Sequence, residues 1–141
     1  MHRILPTLLF LFGTPLFAAE PVRISVTDCG DEPDSKKDGV AAVAKALEAC
    51  KAHESAILVF PKGRYDFYAP EDGRRIVAMP IAGHKNLVID GDGSEFIFHG
   101  ILGVGALTDS QNITLRNFTV DWDRPLLRPN SVTKRENVSR G

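Results

Sequence analysis

Two short strand-like pieces in this chain begin alike. Asn86-Leu87-Val88-Ile89-Asp90 and Asn112-Ile113-Thr114-Leu115-Arg116 start 26 positions apart. A period in that range, carried by β-strand chemistry, predicts a solenoid in which each turn of chain lies on the one before. One turn has no interior of its own, so its apolar side chains are buried only by the turns above and below. That requirement predicts stacked short strands and an exposed first turn that needs a cover, because unpaired strand edges invite aggregation.

The remaining pattern fits. Val22–Thr27 alternates apolar and polar residues, as in a half-buried strand. The polar stretch from Asp28 to Asp38 reads as loop, with Ser35 and Asp38 spaced as a capping box. Gly39 to His53 is predicted helical, with Val40, Val43, Ala44, Leu47 and Cys50 on one stripe. Short strands follow at Ile57–Phe60, Tyr65–Tyr68, Ile76–Met79 (ended by Pro80), Leu87–Ile89, Phe96–Phe98, Ile113–Leu115 and Phe118–Val120. The expected fold class is mainly β: the first coils of a right-handed parallel β-helix with an N-terminal capping α-helix. The same strand spacing also suits an antiparallel sandwich or barrel. Asn86 and Asn112 either stack as an amide ladder or each open a turn, since asparagine tolerates left-handed backbone angles.

Residues 1–19 read as a secretory signal peptide. Arg3 precedes a broken apolar run that ends at Ala18-Ala19. Secretion or periplasmic residence is the expectation, with no membrane association after cleavage. In an oxidising compartment Cys29 and Cys50 form a disulfide or remain two buried thiols. A net charge of −1, with both signs scattered, gives no reason to expect nucleic acid as a partner. No cofactor is expected.

Two motifs bear on chemistry. Asp90-Gly91-Asp92-Gly93-Ser94 opens like an EF-hand loop, but Glu95 and Ile101 stand where that loop needs glycine and a closing glutamate. A tight turn between strands explains the glycines better, and no metal is expected. Asp121-Trp122-Asp123 is the candidate substrate-binding site. Residues i and i+2 of a strand point to one side, roughly 6.5–7 Å apart. Two carboxylates at that distance beside an indole suit a sugar, yet Asp121 and Asp123 equally suit ion pairing and Trp122 suits the core.

Leu58-Val59-Phe60-Pro61-Lys62-Gly63-Arg64-Tyr65, after a helix opened by Asp38-Gly39, resembles the N-terminal end of pectin-lyase-like β-helix enzymes. The stretches Leu87–Gly100 and Asn112–Pro125 resemble the bacterial α-1,3-galactosidases of glycoside hydrolase family 110. The similarity covers about residues 22–127, which with the leader divides the chain into 1–19, a cap and first coils over 20–127, and a non-matching tail over 128–141. The resemblance implies an exo-acting enzyme that releases terminal α-1,3-linked galactose from a glycan by inversion, without a metal. The family's catalytic acids fall in later coils, so the catalytic residues are unknown here. Asp121 and Asp123 match a family motif without a catalytic role attached. A fragment, inactive alone, is the expectation. Other β-helix enzymes, such as a polygalacturonase or pectate lyase, and a non-catalytic carbohydrate-binding module are the alternatives.

Overall fold

The computed structural model describes residues 20–75 and 77–123. The expected leader, the expected tail over 128–141 and Ile76 lie outside the described residues. In chain order the elements are β1 (Val22–Ser25), a 3-10 helix (Val26–Cys29), α1 (Val40–Lys51), β2 (Ala56–Val59), β3 (Arg64–Tyr68), β4 (Val77–Ala82), β5 (Lys85–His99), β6 (Gly103–Thr108) and β7 (Gln111–Trp122).

Every strand pairing among the described residues is parallel. That removes the antiparallel sandwich or barrel. The first half of β5 lies between β2 and β7, and its second half lies between β3 and β7. β4 pairs with β6 in a separate sheet. The chain therefore passes three times through one bent path, each pass resting on the last. Asn86 and Asn112 sit in matching places. Asn112 Nδ2 donates to Asn86 Oδ1 at 2.8 Å, and Asn86 Nδ2 donates to the Glu54 carbonyl at 3.1 Å. Both asparagines also have positive φ, 51° and 54°. The ladder and the turn-opening role coexist.

Like residues stack on like. Tyr65, Phe96 and Val120 form one inward column, and Phe67, Phe98 and Trp122 the next. Phe96 is fully buried and its ring meets Phe60, Phe67 and Phe118 at centroid distances of 4.7, 5.5 and 4.6 Å. Offset and edge-on aromatic pairs of this kind add to plain apolar burial.

Several local expectations are corrected. The pieces at Leu87–Ile89 and Phe96–Phe98 belong to one long strand, bent at Gly91-Asp92-Gly93 where β7 uses Asn117 alone. β4 runs through Pro80 instead of stopping there, because among the described residues it pairs on one side only and tolerates a missing N–H. β6, rich in glycine, has no strand signal in the sequence; a Cβ on Gly105 would come 3.0 Å from the Met79 carbonyl oxygen, so the close approach of β4 requires glycine.

α1 packs against β1, β2, β4 and the 3-10 helix. Its buried arc holds Val40, Val43, Leu47 and Cys50 as expected, but turns away from Ala44 toward Ala42 and Ala46. No capping box forms. Gly39 is the N-cap, and Asp38 Oδ1 accepts from Val40 N at 3.2 Å and Tyr68 N at 3.1 Å, tying the helix start to β3. Cys29 and Cys50 are free thiols and no disulfide joins them. Burial first, and the Cys29 thiol second, push Cys50 up to about 11, which suppresses the thiolate that exchange needs.

Candidate functional site

Alternation sorts the second half of each pass into inward apolar and outward residues that are polar except for Ile97. The outward rows are Arg64–Glu95–Thr119, Asp66–Ile97–Asp121, and Tyr68–His99 with Asp123 next in line. Asp123 continues the pairing, since its N–H donates to the Phe98 carbonyl at 3.1 Å.

Four charged groups on this face form one linked set. Arg64 Nη2 lies 2.7 Å from Asp66 Oδ1, and its Nε donates to the same carboxylate at 3.2 Å. His99 Nε2 lies 2.7 Å from Asp66 Oδ1, and His99 Nδ1 lies 3.0 Å from Asp123 Oδ2. An ionised carboxylate only accepts, so an imidazole held between two of them carries a proton on each nitrogen. The Tyr68 ring stacks on this imidazolium at 4.1 Å and 5°, a cation–π arrangement. Side-chain exposure rises along the line, from 1% at Asp66 through 17% at His99 to 37% at Asp123, so the network leads from a buried anion to solvent.

The electrostatics follow from these contacts. Burial works against the Asp66 anion, but hydrogen bonds from Arg64 and His99 outweigh it and hold the carboxyl below its ordinary value. Burial likewise works against a charged His99, and the bonds to Asp66 and Asp123 outweigh it and hold the imidazolium above its ordinary value. Two cations and two carboxylates cancel within the set.

The sequence-predicted residues divide. Asp123 is in the network. Asp121 faces outward in the next row and its Oδ1 accepts from Trp122 N at 2.8 Å. Trp122 is not a sugar platform: it faces inward, meets Phe98 at 5.5 Å, and its Nε1–H donates to the Leu102 carbonyl at 3.1 Å. The alternation that pairs Asp121 with Asp123 necessarily turns Trp122 the other way. The outward aromatic is Tyr68. Asp90 does not open a metal loop; it accepts from Asp92 N, Arg116 and Asn117 at 3.0, 2.9 and 3.1 Å. Arg64, Asp66, Tyr68 and His99 escaped the sequence reading. The 26-residue asparagine spacing alone would set His99 opposite Pro125; the irregularity between Asp90 and Ser94 shortens the offset to 24 and brings Asp123 in line instead, and the sequence carries no sign of it.

A cavity of about 450 Å³ lies elsewhere, between the end of α1 and the start of β5, lined by His53, Glu54, His84 and Lys85 among others. The buried one of its two histidines is held by the fold, with His84 Nε2–H donating to the Leu47 carbonyl at 2.9 Å. No comparable ionic network converges there among the described residues.

Comparison with known proteins gives this face its context. No family model matches the chain. Alpha-1,3-galactosidase A of Shewanella woodyi is 44% identical over 114 residues, 72% of this chain and 19% of the relative. Alpha-1,3-galactosidase B of Bacteroides thetaiotaomicron is 43% identical over 124 residues, 79% of this chain and 20% of the relative. The chain belongs to the alpha-1,3-galactosidase family. That of Parabacteroides distasonis is 33% identical over 84% of the chain. The chain spans about a fifth of the length of these curated relatives.

Proposed function

We propose that this chain forms the cap and first coils, over residues 20–127, of an exported enzyme that removes terminal α-1,3-linked galactose from glycans with inversion. The fold we infer for the whole is a right-handed parallel β-helix, with residues 1–19 as its export signal and a secreted or periplasmic location. The observation that carries this reading is the 44% identity to the Shewanella woodyi enzyme over 72% of the chain. Parallel strands stacked in register and the helix laid against β1, β2 and β4 support the β-helix. The outward face with Tyr68, His99, Asp121 and Asp123 is proposed to meet the glycan, because carboxylates accept from sugar hydroxyls. The catalytic carboxylates are assigned to other coils, since the chain spans so small a share of its relatives, and the chain alone is inactive.

A chimera tests this. Residues 20–123 replace the aligned part of the Shewanella woodyi enzyme, and galactose release from α-1,3-galactobiose is measured. The chimera is expected to turn over and the 141-residue chain alone to release nothing. A folded but inactive chimera contradicts the family function; turnover by the chain alone contradicts the assignment of catalysis to other coils.

A further inference from the structure

We propose that the cavity between the end of α1 and the start of β5 is a binding site for a neutral, hydroxyl-bearing ligand the size of a monosaccharide, with one ligand hydroxyl donating to His84 Nδ1. The site shares no residue with the outward face assigned to the glycan, and neither reading depends on the other.

A buried histidine with one nitrogen unused points to the ligand. His84 is 3% exposed and lines the cavity. Its Nε2–H is committed to the Leu47 carbonyl at 2.9 Å, so the neutral ring presents a bare lone pair at Nδ1. Nδ1 is buried and accepts from no group among the described residues. Buried acceptors in native proteins are nearly all paired, so this one calls for a donor from outside the fold. The adjoining Ser110 hydroxyl cannot serve. It accepts from His84 N at 3.1 Å, and its single proton is shared between the Thr108 and Ile81 carbonyls at 2.9 and 3.2 Å.

The other walls narrow the chemistry of that donor. A volume of about 450 Å³ falls within the range of small-molecule sites, roughly 300–1,000 Å³. Cys50, Ala56 and Leu87 line the cavity and are buried, which supplies an apolar wall for the C–H surface of a sugar ring. Lys51 and Lys85 also line it and oppose a cation. Glu54 and the negative C-terminal end of α1 oppose an anion. A neutral ligand that brings both an O–H donor and an apolar face meets every one of these conditions, and a monosaccharide is such a ligand.

Galactose is the probe, titrated into the 141-residue chain while the His84 ring nitrogens are followed by long-range proton–nitrogen NMR. Nδ1 is expected to move to a hydrogen-bonded shift and to saturate with a Kd of about 1 mM, the scale for so small a ligand in an open site. Nε2 is expected to stay in place. His84→Gln keeps an N–H for the Leu47 carbonyl and removes the Nδ1 acceptor; saturation-transfer NMR of galactose is expected to show binding about tenfold weaker, the worth of one neutral hydrogen bond. Ala52→Trp, at the exposed rim, is expected to fill the cavity and abolish binding while the urea midpoint holds. That variant keeps the test open if His84→Gln fails to fold. An Nδ1 that ignores galactose, or that is hydrogen-bonded before galactose is added and stays so, marks a trapped water and overturns the proposal. A response to sulfate in place of galactose, or galactose binding untouched by Ala52→Trp, overturns it as well. Each of these outcomes leaves the galactosidase reading standing, because turnover of the chimera tests that separately.

Discussion

Replacing Phe96 by alanine is expected to remove about 3–5 kcal/mol of stability, the usual cost of deleting a buried aromatic ring and leaving its cavity. Phe96 is where the three passes meet. It is fully buried, and its ring touches Phe60, Tyr65 and Phe67 from one pass and Phe118 from the next. A domain of this size holds only about 5–15 kcal/mol in all, so the variant is expected to lose its urea transition below room-temperature conditions that leave the parent folded. Neighbouring rings cannot close the gap, because Tyr65, Phe67 and Phe118 are fixed by strand register and Phe60 by its N–H bond to the Asp90 carbonyl at 2.9 Å. A shift of the urea midpoint equivalent to less than about 1 kcal/mol would show that the aromatic columns do not hold the passes together.

Gly91→Val is expected to be nearly as damaging, for the opposite reason. A Cβ at position 91 would stand 2.5 Å from Phe118 Cβ and 2.7 Å from the Asn117 carbonyl oxygen. The obstacle includes backbone, so no rotamer change relieves it. Forcing extra atoms into such a site costs about 1–3 kcal/mol, and a backbone clash puts this case at the upper end. The bend would open and separate β5 from β7. Far-UV circular dichroism during urea unfolding measures the loss. A variant as stable as the parent would mean that β7 does not approach β5 as closely as described. Gly93→Ala is the useful contrast, because its strain comes from a φ of 82° and not from crowding by β7.

The stacking was legible because it is written as a period. Asn86 and Asn112 mark matching places, and the alternation after them says which side chains turn inward. The helix was legible from its stripe, except that Ala44 and Ala46 are chemically alike and only packing against β1, β2 and β4 decides which is buried. Strand β6 was hidden by Gly103 and Gly105, which lower strand propensity yet permit the approach to Met79. The outward network was hidden for a deeper reason. Asp66, His99 and Asp123 are far apart in sequence, and only the register of three parallel strands brings them to hydrogen-bonding distance. Asp121-Trp122-Asp123 looked like one site because the three are adjacent. Strand geometry splits them, sending the carboxylates outward and the indole into the core.

Engineered cross-links test the register directly. In a background with Cys29 and Cys50 changed to alanine, cysteines are placed at Glu95 and Thr119, and separately at Val88 and Thr114, pairs that lie side by side across β5 and β7. Stacked parallel passes bring both pairs within disulfide reach, so both are expected to oxidise readily, while Glu95 with Val120 stays reduced because its side chains point to opposite faces. Cross-linking of the mismatched pair, or failure of both matched ones in folded protein, would mean that these strands are not successive layers of one coil.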